Sequence, residues 1–168
     1  ELKTFKNLIY IMGNHDQWCF EWLSGDIHFR DYNSWFRQGG KQTEDSIKKH
    51  SAEQEVYDFF SKGKYFHEED RLLFVHGGID PDKKASQMDK HDLIWNRELI
   101  QEARMESINP ELLCKEYDMV YVGHTPTIFY EKYTPTRYNN VFMMDTGAAY
   151  GNQLSIMDIK TKEFWQSG

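Results

Sequence analysis

The chain has little of several things, and each shortage excludes something. It contains no apolar run long enough to span a bilayer, so the sequence predicts no transmembrane helix. It has two cysteines, Cys19 and Cys114, far apart and in no CxxC pair, which argues against a disulfide framework or a thiolate zinc site. Both read as small apolar residues held as free thiols in a reducing compartment. The opening residues show no signal-peptide pattern, and the two points together give an expected cytoplasmic location. Basic residues are outnumbered, 20 Lys and Arg against 27 Asp and Glu, for a formal net charge of −7. Such a balance disfavours non-specific nucleic-acid binding, which depends on Lys and Arg contacts to the phosphate backbone. It does not disfavour a phosphate substrate, because a dication supplies positive charge locally. Internal repeats and low-complexity tracts are also lacking.

What is present is a globular composition. Of 168 residues, 39% are hydrophobic and 15% aromatic, enough to bury a core and too many for a disordered tail. No linker divides the sequence, and one domain over residues 1–168 is expected. Short apolar runs at 7–12 (NLIYIM), 72–75 (LLFV), 119–122 (MVYV), 141–144 (VFMM) and 154–159 (LSIMDI) predict strands. Trp18, Trp22 and Leu23 predict a helix over 16–23. Residues 24–50, polar and glycine-containing, predict a loop or irregular insert. Ser51 with Gln54 suggests a capping box opening an amphipathic helix that buries Val56, Phe59 and Phe60. Leu93, Ile94, Leu99 and Ile100 predict a helical segment over 90–103, and Pro110 a short helix start. Glu68, Glu69 and Asp70 beside His67 suggest an exposed turn. Helices early and strands late point to an α/β layered sheet with polar residues at strand ends.

Three of these strands end in chemistry. Gly13-Asn14-His15-Asp16, Val75-His76-Gly77-Gly78 and Val122-Gly123-His124-Thr125 each follow an apolar run and carry a glycine. Asn14, His76 and His124 together form a mixed oxygen and nitrogen donor set, suited to Mn, Fe or Zn. Each has a plainer alternative taken singly: Asn beside Gly is a common turn residue, and a histidine at a strand end is often only hydrogen-bonded. Their order along one chain is what favours the metal.

That order resembles the last three signature blocks of the calcineurin-like metallophosphoesterases, GNH[ED], an HGG-type block and a GHT-type block. The likeness is greatest to bacterial and phage members of the phosphoprotein phosphatase branch, and it extends to Asp145-Thr146-Gly147 and the strand after it. The resemblance implies a layered β-sandwich flanked by helices. It implies two divalent metals (Mn, Fe or Zn), one of them held by Asn14, His76 and His124. Asn14 would also touch the phosphate. His15 would be the general acid that protonates the leaving alkoxide, a role that suits imidazole. Arg97 would grip the phosphoryl group, though an exposed helix-face arginine is the plainer alternative. Tyr150 would line the site. Asp16 is expected to be structural.

The family's first two blocks, GDxHG and GDxxDRG, are not found, so an N-terminally incomplete copy is expected. Gly25-Asp26-Ile27-His28 spells part of the first block, but it follows GNHD rather than preceding it, and Phe29 stands where the family has glycine. We therefore read Asp26 and His28 as loop residues. The implied activity is hydrolysis of phosphate monoesters by a metal-activated hydroxide, with a phosphorylated protein or small phosphoester as substrate, and most specifically a serine/threonine phosphatase. The alternatives are a nucleoside polyphosphate hydrolase of the same superfamily, or a non-catalytic binding module if the chain is complete.

Overall fold

A computed structural model describes residues 5–168. The chain forms two compact units, residues 1–64 and 65–168.

The first unit is helical in its described part. Its helices are α1 (Asn14–Ser24), α2 (Phe29–Trp35), α3 (Lys41–His50) and α4 (Glu53–Phe60). The predicted helix after GNHD is present, two residues longer at its start. The predicted strand over 7–12 is not: Ile11 makes a single parallel bridge to Lys64, with Met12 N–H donating to the Lys64 carbonyl at 2.8 Å. A β-branched run becomes a strand only beside a partner strand, and among the described residues of this unit Lys64 alone bridges to it. The expected loop over 24–50 is instead two helices joined by a kinked turn at residues 36–40. The kink needs Gly39, whose φ is +106°. Polar composition misled here because these helices bury few side chains, chiefly Trp35 and Ile47. Ser51 does not open a helix. It closes α3 with φ +50°, and α4 starts at Glu53. Val56, Phe59 and Phe60, expected to be buried, are only half-buried, and the Tyr10 ring lies tilted against Phe59 at 4.8 Å and stacked near Phe60 at 6.0 Å.

The second unit holds a five-stranded sheet in the order β1-β2-β3-β5-β4, formed by β1 (Phe66–Glu69), β2 (Leu72–Val75), β3 (Met119–Val122), β4 (Thr136–Tyr138) and β5 (Val141–Met143). A separate two-stranded ribbon pairs β6 (Ser155–Met157) with β7 (Phe164–Gln166). The expected turn around residues 67–70 is mostly strand β1. The turn proper is Asp70-Arg71, both with positive φ, which suits a two-residue hairpin.

Strands β2, β3 and β5 run parallel. Side chains alternate across them. Leu73, Val75, Val120, Val122, Val141 and Met143 face the core. Phe74, Tyr121 and Phe142, directly paired across the three strands, form a stack of rings at 5.0 and 5.8 Å. The core is closed by Leu93 of α5 (Lys90–Trp95) and by Leu99, Ile100 and Ala103 of α6 (Glu98–Met105). Each buried leucine or isoleucine side chain contributes roughly 1.5–3 kcal/mol by leaving water, and Ala103 less.

The single helix expected over 90–103 is broken at Asn96 and Arg97. Asn96 accepts from the Leu99 N–H at 3.0 Å and so caps α6. No helix forms near Pro110. Asn139 and Asn140 take up the backbone groups a helix would need: Asn139 Oδ1 accepts from Leu113 N–H at 2.9 Å, and Asn140 bonds the Cys114 N–H and the carbonyls of Cys114 and Tyr117.

Candidate functional site

Parallel strands present their carboxyl ends on one side of a sheet, where rigid backbone meets open loops. His76 directly follows β2, and Gly123-His124 directly follows β3, its neighbour. Gly123 N–H donates to the His76 carbonyl at 2.9 Å, which extends the pairing past the strand ends. The two imidazoles therefore meet. Nε2 of His76 lies 3.2 Å from Nδ1 of His124.

Two nitrogens at that spacing can share a proton, one ring donating and the other accepting. It is also the separation of two imidazole nitrogens that each reach one cation at about 2.0–2.1 Å. The donor set fits a borderline divalent metal. His124 is buried and His76 partly so, with the Trp95 ring edge-on to His124 at 5.6 Å.

The glycines of the second motif do not need an unusual backbone. They are needed because another chain segment lies on them. A Cβ on Gly77 would come within 2.7 Å of the Ile94 backbone, and one on Gly78 within 2.9 Å of Asn96 Oδ1. This close approach, with Gly77 N–H donating to the Leu93 carbonyl at 2.7 Å, seats the corner between α5 and α6 at the site. Arg97 sits on that corner. Its Nη1 donates to the His124 carbonyl at 3.1 Å and to Thr125 Oγ1 at 3.2 Å, while the side chain as a whole is exposed.

Asn14 and His15 open α1 in the first unit. Asn14 is buried. Burial lowers the His15 imidazole from its ordinary value, the neighbouring Asp16 carboxylate opposing, and the ring meets Trp18 edge-on at 5.3 Å. Asp16 accepts the Gly13 N–H at 2.8 Å, a capping role that matches its expected structural use. Asp145 and Thr146 likewise tie loops together. Asp145 Oδ1 accepts from Gly147 N–H at 2.9 Å, and Thr146 Oγ1 donates to the Gln153 carbonyl at 2.6 Å. Tyr150 is exposed, its ring edge-on to Phe129 at 5.6 Å. The GDIH stretch joins α1 to α2: Gly25 ends the first helix, and His28 Nδ1 accepts from Arg30 N–H at 3.3 Å to start the second.

One cluster was not anticipated from the sequence. Asp89, His91 and Asp92 place donor atoms within 4.8 Å of one another at the start of α5. All three are exposed, and Asp89 is already engaged in capping, accepting from the Asp92 N–H at 2.9 Å. Their spacing in sequence is the signal that could have drawn attention to them.

Comparison with curated proteins gives no match. The sequence model of the family described as calcineurin-like phosphoesterase matches residues 1–146, a span that contains all three motifs. Over that span, and with a mixed α/β fold carrying paired imidazoles at its parallel strand ends, the chain belongs to the calcineurin-like phosphoesterases, a family of metal-dependent hydrolases of phosphoesters.

Proposed function

We propose that the protein is a metal-dependent phosphatase of the phosphoprotein phosphatase branch, acting on phosphoserine or phosphothreonine in proteins. The observation that carries the metal assignment is the 3.2 Å approach of His76 Nε2 to His124 Nδ1. The narrower branch and substrate rest on the spelling of the GNHD, HGG and GHT blocks.

In this proposal His76, His124 and, on the family resemblance alone, the Asn14 side-chain oxygen would hold one divalent cation, Mn, Fe or Zn. Divalent metal supplies Lewis acidity toward the phosphoryl oxygens and lowers the pKa of water. The chain's own groups do the rest. Arg97 presents its solvent-facing guanidinium edge to the phosphoryl oxygens, where a planar fork of N–H donors fits well. His15 carries a proton to the departing alkoxide oxygen. A cytoplasmic, reducing setting is part of the proposal. It is supported by Cys19 and Cys114, both buried and unbridged, whose thiols burial pushes up to about 12.

The test is phosphate release from a phosphothreonine peptide, with and without Mn²⁺, alongside a nucleoside polyphosphate, for the wild type and for His76→Ala and His124→Ala. We expect Mn²⁺-dependent release from the peptide and reduced bound metal in both variants. Full metal occupancy in the variants rejects the ligand assignment. Preference for the nucleoside polyphosphate rejects the protein phosphatase.

A further inference from the structure

The backbone at His124 is unusual. Thr125 N–H donates to the Gly123 carbonyl at 2.5 Å, and His124 between them has φ +61°. A three-residue turn closed in this way around a positive φ is rare and strained for a residue with a Cβ. Such a conformation persists only where surrounding structure over-determines it.

Here the surrounding structure includes Arg97. Both acceptors of its Nη1 belong to the turn: the His124 carbonyl at 3.1 Å and Thr125 Oγ1 at 3.2 Å. A charged donor strengthens each bond relative to a neutral one. The guanidinium reaches the turn from the α5–α6 corner, which the glycine pair Gly77-Gly78 admits to the strand end.

We infer that Arg97 is a positioning residue: it holds the strained turn at His124 in the shape that aims Nδ1 at His76. The inference rests on the proposal that these two histidines share a cation, and it adds a duty for Arg97 that is separate from gripping phosphate. A phosphate-gripping arginine matters only when substrate is bound. A turn-holding arginine matters to the substrate-free protein.

The experiment therefore omits substrate. Co²⁺ is titrated into the full chain and into Arg97→Met, Arg97→Lys and Thr125→Val, followed by calorimetry and by Co²⁺ visible absorption. Imidazole ¹⁵N shifts are recorded on the metal-free proteins, with thermal unfolding as a check on folding. Arg97→Met is expected to lose about 10-fold or more in Co²⁺ affinity, the usual scale for removing a group that orients a ligand. Its absorption bands and the ¹⁵N shifts of His76 and His124 should change. Thr125→Val should move the same readouts less, and Arg97→Lys should recover part of the loss. Wild-type affinity, spectrum and ¹⁵N shifts in Arg97→Met overturn the inference. If Arg97→Met does not fold, the same wild-type values in Thr125→Val overturn it. A wild-type chain that binds no Co²⁺ defeats the metal proposal instead, while the metal-free ¹⁵N shifts still report whether Arg97 sets the histidine pair.

Discussion

The Ile94 backbone lies against Gly77 so closely that a single added methyl would sit 2.7 Å from its carbonyl carbon and oxygen. Backbone cannot swing aside as a side-chain tip can, so the strand end and the α5–α6 corner must separate if Gly77 gains a Cβ. We expect Gly77→Ala to destabilise the protein by roughly 1–3 kcal/mol, the range for overpacking a close contact. The loss should appear as a lower urea midpoint with unchanged slope. It should also weaken metal binding, because the same contact seats Arg97 beside His124. An unchanged midpoint would show that the corner adjusts freely.

Asn140 is fully buried and makes three hydrogen bonds to the backbone at Cys114 and Tyr117. At about 1 kcal/mol net each, with the further cost of buried groups left unpaired, Asn140→Ala should cost roughly 3 kcal/mol or more. Equilibrium unfolding in urea measures this. A cost under roughly 1 kcal/mol would mean that water replaces the side chain at the backbone.

Tyr117 provides a pH prediction. Burial, and then the bond its hydroxyl donates to Glu68, raise its pKa from 10.0 to about 12, with the Ala85 N–H pulling the other way. The folded value lies above the unfolded one, so the folded state holds the proton more tightly. The associated stability is fully present below pH 10 and is lost as pH rises toward about 12. Tyr117→Phe should lower stability at neutral pH, since the Glu68 and Ala85 bonds go. It should also flatten the decline above pH 10. Melting curves for the two proteins between pH 8 and 12 would reveal an equal decline if Tyr117 were not its source.

His15→Ala should lower turnover by ~10²-fold or more, the contribution typical of a positioned general acid. Bound metal should be unchanged, because the proposed ligand on this helix is Asn14. Wild-type turnover in the variant would remove His15 from proton transfer.

Some of this was legible in the residues alone. LLFV and MVYV are short apolar runs followed by histidine or glycine, and both form strands at the written boundaries; MVYV is buried throughout, and LLFV alternates between buried and half-buried side chains, as a paired strand does. NLIYIM has the same character but makes one bridge, because strand formation needs a neighbour that local sequence does not name. The helices within residues 24–50 were hidden by polarity, since they cover little core. Pro110 marked a plausible helix start that Asn139 and Asn140, some thirty positions later, divert into turns.

The sequence by itself determined the class of chemistry: which residue types stand at which strand ends, in which order, with enough histidine and amide for a borderline metal. These are covalent facts and need no geometry. Only the tertiary structure decided that His76 and His124 meet, because their 3.2 Å approach follows from the parallel pairing of β2 with β3 across more than forty intervening residues. It also decided what the glycine pair and Arg97 do. Close approach of distant backbone, and a charged donor reaching a strained turn, are relations between segments, and hydrophobic periodicity carries no information about them.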